Sequence, residues 1–236
     1  MNIGKSAMLE TYLEGESLME YEINKLGNEQ ISKYDLDNKR YELANSILYK
    51  MVADYPSNAD IDSVVAKIWL IGRSYSASVE RRKNKSTTSN GDFYYDYVGP
   101  AICGSSIDSG ISALRTETSI TSDTIIEVCR LHKCLMDILQ KQTEMDKRSL
   151  TSKYLHFHLP NIVFIYDSRV QSVISSFVDE KDRIDVPPDV DGTYYRYCLK
   201  AYEVYKKVKS DSRFTGMCLP RIVDNVLLAY ASSIGK

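Results

Sequence analysis

The chain has 236 residues, 43% of them hydrophobic, and a formal net charge of −2. That length allows one large domain or two small ones, the apolar content excludes bulk disorder, and the near-neutral charge excludes a uniformly basic nucleic-acid binder. The longest apolar runs, such as DNVLLAYASSI, fall far short of a bilayer span, and MNIGKSAMLE lacks the apolar core of a secretory signal, so a cytoplasmic protein without membrane contact is expected.

Helical periodicity dominates. The run 6–27 places Met8, Leu9, Tyr12, Leu13, Leu18, Met19 and Ile23 near helical spacing and predicts a helix ending at Gly27. A second helix over 35–56 opens at Asp35 or Asp37, carries Tyr41, Leu43, Ala44, Ile47, Leu48 and Met51 on one stripe and stops at Pro56. A third, 58–83, is capped near Asn58 or Asp60 and is apolar on more than one side, which places it in the core. The stretch 84–95 reads as a loop with a turn at Asn90-Gly91.

Helices follow over 106–118 and over 121–144, the latter amphipathic with Ser122 or Asp123 as cap. The segment IVFIY, 162–166, is the one β-like run, and a helix over 167–178 follows it, capped by Asp167 or Ser168. An acidic, proline-containing loop spans 179–192. Helices over 192–209 and 219–234 close the chain, the last with Pro220 in its first turn. The expectation is an all-α protein with little or no sheet: one helical domain over 1–236, divisible into lobes 1–90 and 91–236 with a cleft between them.

Five cysteines, at 103, 129, 134, 198 and 218, include no CxxC pair, which predicts reduced thiols and neither a disulfide framework nor a zinc site. His156 and His158 stand two apart, on different sides of a helix, which does not suit a metal. GKS at 4–6 lacks the upstream glycine of a phosphate loop. No metal and no cofactor is implied.

Three stretches carry chemistry. GRSYSASVERR, 72–82, offers Arg73, Tyr75 and Glu80, either as a polar cleft wall holding a phosphate or base edge or as a structural Arg–Glu pair. GDFYYDYVGP, 91–100, puts Phe93, Tyr94, Tyr95 and Tyr97 in a loop that either stacks on a nucleobase or folds onto the core. The third is TSKYLHFHLPNIVFIYDSRV, 151–170, where a lysine on a short helix is followed by a proline, an apolar run and a helix-opening aspartate.

That order resembles the catalytic segment of the helix-hairpin-helix DNA glycosylases, especially the 8-oxoguanine-glycosylase-like bacterial proteins. TSKYLHFHLP is similar to the lysine-bearing helix, VFIYDSRVQSVI to the turn and aspartate, and LPRIVDNVLLAYA to the closing helix, covering roughly 148–231. The glycine-rich hairpin of that superfamily is missing, because KQTEMDKRSLTSK has no glycine.

The resemblance implies an enzyme that flips a damaged or modified base from DNA and cleaves its N-glycosidic bond, in repair or in defence against phage with modified DNA. Asp167 would stabilise the developing oxocarbenium charge and Lys153 would be the candidate nucleophile. His156, Tyr166 and Arg169 would lie beside them, and Arg73, Tyr75, Glu80, Tyr94, Tyr95 and Tyr97 would line the base pocket. DNA is the expected partner. The alternatives are a non-catalytic module of the same fold that binds nucleic acid or a protein, and an enzyme on a nucleotide or RNA that uses 72–82 as its anion site.

Overall fold

The computed structural model describes residues 21–37, 40–77, 79–82, 92–179 and 185–236. Ten α-helices and one two-stranded sheet are present among them. In chain order they are β1 (Glu22–Ile23), α1 (Lys25–Lys33), α2 (Glu42–Asp54), α3 (Ile61–Ser74), α4 (Gly99–Cys103), α5 (Ile107–Leu114), α6 (Ser122–Thr143), α7 (Arg148–His158), α8 (Ser168–Ile174), β2 (Val178–Asp179), α9 (Gly192–Ser210) and α10 (Leu219–Ser233). The protein is mostly helical, as the periodicity predicts. No described helix is long and apolar enough to cross a membrane.

Several boundaries differ from expectation. Most of the helix read over 6–27 lies outside the described residues, as do 84–91 of the loop and 180–184 of the acidic segment. Glu22–Ile23 is a strand, antiparallel to Val178–Asp179. Gly27 does not end a helix but sits inside α1, which is capped by Asn24. A Cβ at Gly27 would lie 2.8 Å from the carbonyl oxygen of Phe177, so the glycine is there to let the helix approach that backbone closely.

Helix α2 starts at Glu42 rather than at Asp35 or Asp37, and Thr121 rather than Ser122 or Asp123 caps α6. Helix α3, capped by Asp60, ends at Ser74 instead of running to 83. Ser76 adopts a left-handed φ of 53°, and the Ala77 N–H reaches back to the Gly72 carbonyl at 2.8 Å, closing the helix before Tyr75 is carried away from the core. The aromatic stretch expected as a loop is a π-helical turn, Tyr94–Val98, running into α4.

The buried apolar side chains form one continuous cluster, from Tyr21 to Ala231. Helix α7 lies inside it, packed by α2, α3 and α6. Every residue from Leu150 to His158 is buried, although the helix carries Thr151, Ser152, Lys153, His156 and His158. A polar helix buried on all sides needs a partner for each polar group, which sets up the site below.

The chain leaving α7 has the same problem in its backbone. Residues 163–166 are buried or half-buried and belong to no described helix or strand, which corrects the β-like reading of IVFIY. Side chains take the place of a neighbouring strand. His156 Nδ1 donates to the Val163 carbonyl at 2.8 Å, Tyr194 Oη to that of Phe164 at 2.7 Å and Tyr197 Oη to that of Ile165 at 2.6 Å. The Tyr166 N–H donates to Ser152 Oγ at 2.9 Å. Tyr197→Phe is therefore expected to lower stability by about 1–3 kcal/mol, the cost of leaving a buried carbonyl unpaired, with little lost packing. Urea unfolding of the two proteins measures it, and an unchanged midpoint would show that the carbonyl finds another donor.

Candidate functional site

Helix α7 and the N-terminus of α8 bring Lys153 and Asp167 together. Lys153 Nζ donates to Asp167 Oδ2 at 2.8 Å across fourteen residues of sequence, and to Ser149 Oγ at 2.6 Å. The lysine side chain is 2% exposed and the aspartate 26%, so the carboxylate forms the outer half of the pair. Asp167 also caps α8, its Oδ1 accepting the Arg169 N–H at 3.0 Å. The cap and the ion pair hold the carboxylate by both oxygens. Burial raises the Asp167 carboxyl, but Lys153, in charge and hydrogen bond, and the Arg169 N–H outweigh it and leave the group below its ordinary range.

Around this pair the structure assembles part of the expected set. The Lys153 ammonium sits 5.4 Å from the centre of the Tyr75 ring, whose hydroxyl donates to Asn45 at 2.7 Å. Tyr166 is half-buried next to Asp167, beneath the Arg148 guanidinium at 5.8 Å. Arg148 in turn forks onto Asp191, the cap of α9, and so ties the starts of α7 and α9 together. His156 is buried one turn further along α7. Because its Nδ1 donates to a carbonyl, its Nε2 is the acceptor for the Tyr49 hydroxyl at 2.6 Å. Burial, then the nearby Arg221, push its pKa well below the usual histidine range and keep it neutral.

The remaining predicted residues lie elsewhere. Arg73 is exposed rather than buried and pairs with Glu80, which also accepts from the Tyr94 hydroxyl, so the Arg–Glu pair suggested by the spacing forms. Phe93 and Tyr94 fold into the core and Tyr97 stacks on Phe93, which leaves only Tyr95 of the four aromatics widely exposed. Arg169 points along the surface, where it donates to the Lys236 carbonyl and to Ser232 at 2.8 Å.

Two charged residues of α10 join the cluster unforeseen. Arg221 is buried over the rings of Tyr49, Tyr75 and Phe157, at 5.5–5.8 Å, and its Nε donates to Tyr49 Oη at 3.2 Å. Asp224, 3% exposed, accepts from Arg221 at 3.4 Å. Burial pushes the Asp224 carboxyl up to about 6, against the pull of Arg221 and Lys153. Asp224 Oδ1 and Arg221 Nη2 are buried with no protein partner. The signal for both was present: two opposite charges, three apart, in the otherwise apolar run LPRIVDNVLLAYA.

The arrangement is a cluster of two opposite-charge pairs, Asp167 with Lys153 and Asp224 with Arg221, with the Tyr75 ring against both cations. It holds one carboxylate at the surface and a cation directly beneath it. No group of three or more His, Cys, Asp or Glu side chains suited to a metal occurs among the described residues. Comparison with known protein families, with characterised proteins and with solved structures finds no match to this chain.

The pair's unequal burial gives an ordering of variants. Asp167→Asn preserves the cap but strands a buried ammonium, and is expected to cost about 3 kcal/mol. Lys153→Met leaves a carboxylate that water can reach, so it costs less, and adding it to Asp167→Asn restores most of the loss. Denaturation midpoints of the three proteins test this. Equal costs for the two single variants would contradict it.

The histidines set the acid limit of stability. His132 is buried, stacked 3.8 Å from the Tyr194 ring, and its pKa is pushed down to about 4, mainly by burial. Burial likewise takes His158 down to about 3. Below pH 6.5 the unfolded chain takes up these protons and the folded chain does not, so stability falls as pH drops toward 4, by roughly 3 kcal/mol for His132 alone. Asp224 works in the opposite direction between about 6 and 4, and three histidines outweigh it. His132→Phe should flatten the slope of unfolding free energy against pH between 6.5 and 4, as measured by urea titration at each pH.

Proposed function

We propose that this chain is a DNA glycosylase-like enzyme that cleaves the N-glycosidic bond of a damaged or modified base, with Asp167 and Lys153 as the reacting groups. The observation that carries this reading is the 2.8 Å contact between the two side chains the resemblance singles out. Heterolysis of a glycosidic bond leaves positive character on the sugar, and a carboxylate fixed by a helix cap and an ammonium is pre-organised to face it. The same hydrogen bond offers a proton path. In place of that electrostatic role, transfer from Lys153 to Asp167 would yield a neutral amine able to attack the anomeric carbon as the base leaves, and a carboxylic acid able to protonate the departing base.

A second reading, a non-catalytic module that binds a protein, has its own support. Arg148, over the Tyr166 ring, and Arg169, two residues beyond Asp167, are already engaged by Asp191 and by Lys236 and Ser232. Helix α2 and the turn before it also present Tyr41, Leu43 and Ile47 at 80%, 76% and 58% exposure.

The two separate in one assay. The purified protein is incubated with single- and double-stranded DNA carrying a panel of modified bases, followed by alkaline cleavage. The glycosylase reading expects strand breaks at one modification and a loss of about 100-fold or more in Asp167→Asn, in the range of removing a general acid or base. It also expects a borohydride-trapped adduct on Lys153. Absence of abasic product on every substrate, from protein shown to be folded, would leave the binding module.

A further inference from the structure

Along α7 every polar side chain but one has a partner. Arg148 forks onto Asp191, Ser149 accepts from Lys153, Thr151 and Ser152 bond to backbone, Lys153 meets Asp167, Tyr154 donates to Asn58 at 2.6 Å, and His156 bridges Tyr49 and Val163. His158 is the exception. It is 7% exposed, and neither ring nitrogen has a protein partner. A neutral imidazole has one N–H donor and one bare nitrogen acceptor, and burying both unused is costly.

His158 also walls a cavity of about 590 Å³ that contains none of the residues assigned to the site by the resemblance. That volume lies in the range of small-molecule sites. Its other walls are flat or apolar: the rings of Tyr49 and Phe157, Pro56 and Pro160, Val52 and Ala53. Arg115 is the one charged side chain among the lining residues, Asn161 adds a polar amide and Cys218 contributes a thiol. Arg115 is exposed and holds only a long hydrogen bond, 3.4 Å, to the Pro56 carbonyl. Lys67 and Arg221 lie behind the wall, each close enough to act electrostatically on a lining residue, His158 and Cys218 respectively. Asp108 also acts electrostatically on His158; its Oδ2 accepts from Ser57 and the Asn58 N–H, and its Oδ1 is buried without a partner. The cavity is therefore apolar in most of its walls, with mixed charge behind them and Arg115 as the one charge that lines it.

We propose that this cavity binds a small aromatic acid. Its ring system lies among Phe157, Tyr49 and the two prolines, its carboxylate meets Arg115, and a polar ring substituent supplies the hydrogen bond that His158 lacks once the imidazole, whose nitrogens are both closed to solvent, rotates toward the cavity. Each part answers a feature of the site. The flat rings fit a planar body, the lone cation selects an anion, and a neutral imidazole suits a hydroxyl, which both donates and accepts. The site does not depend on the reading of Lys153 and Asp167.

The probe is 6-hydroxy-2-naphthoate, a fluorescent bicyclic acid of suitable size, titrated against the full chain. Saturable binding below millimolar concentration is expected, weakened by about tenfold or more in Arg115→Ala, a loss of about 1.4 kcal/mol. Arg115 is at the surface, so that variant folds. Comparison with 2-naphthoate, which lacks the hydroxyl, isolates His158: His158→Phe should weaken the hydroxylated probe and leave 2-naphthoate nearly unchanged.

Location is read independently by iodoacetamide alkylation at pH 9 with peptide mass spectrometry. Bound probe should slow modification of Cys218 several-fold and leave Cys103, which is not among the lining residues, unaffected. No saturable binding up to millimolar concentration would overturn the proposal. So would binding that neither depends on Arg115 nor protects Cys218.

Discussion

The structure depends on how a short buried stretch of backbone is satisfied without a sheet. Residues 163–166 pass through the interior outside any described helix or strand, and most of them are buried. His156, Tyr194 and Tyr197 each donate a hydrogen bond to a successive carbonyl, and Ser152 accepts the Tyr166 N–H. These bonds join α7 and α9 to the same four residues. They also fix the point at which the chain reaches Asp167, so the direction of that carboxylate follows from the interior hydrogen bonding.

The composition is intelligible in these terms. The chain has 18 tyrosines and five phenylalanines. At Tyr194 and Tyr197 a phenylalanine would fill the same space and leave a carbonyl unpaired, and at Tyr49 the hydroxyl links a buried arginine to a neutral histidine. Tyrosine here works as a core residue that brings its own donor. The same economy governs α7, whose charged and polar side chains are tolerated in the interior because neighbouring helices supply counterparts. His158, where that supply ends, adjoins the cavity.

Besides the ion pairs at the surface, one group of charges is buried. Asp167 is its outermost member, Lys153 lies beneath it, and Asp224 and Arg221 are buried among aromatic rings. Asp224 feels Arg221, Lys153 and Asp167 together, so the protonation of that buried carboxyl depends on the other three. This group carries the proposed chemistry, and its inner members would tune an outer carboxylate they do not touch.

Much of the fold was legible in the sequence. Helices α6, α9 and α10 follow from apolar spacing, Asp167 was readable as a cap, and the Arg73–Glu80 pair was suggested by spacing, because these are local effects. The termination of α3 at a left-handed Ser76 and the passage of α1 through Gly27 were not legible, since each depends on what the chain meets in space. Among site residues, the sequence singled out Lys153 and Asp167 one at a time. That they touch was decided by the folded path of 159–166, and that Arg73, Glu80 and Tyr94 form a separate cluster was decided by the break after α3. What the sequence by itself determined is a helical protein with a lysine-bearing helix and a capping aspartate, because helix periodicity and capping act within a few residues. Only the tertiary structure decided which polar groups meet, because a buried charge or carbonyl takes its partner from whichever element packing brings within reach.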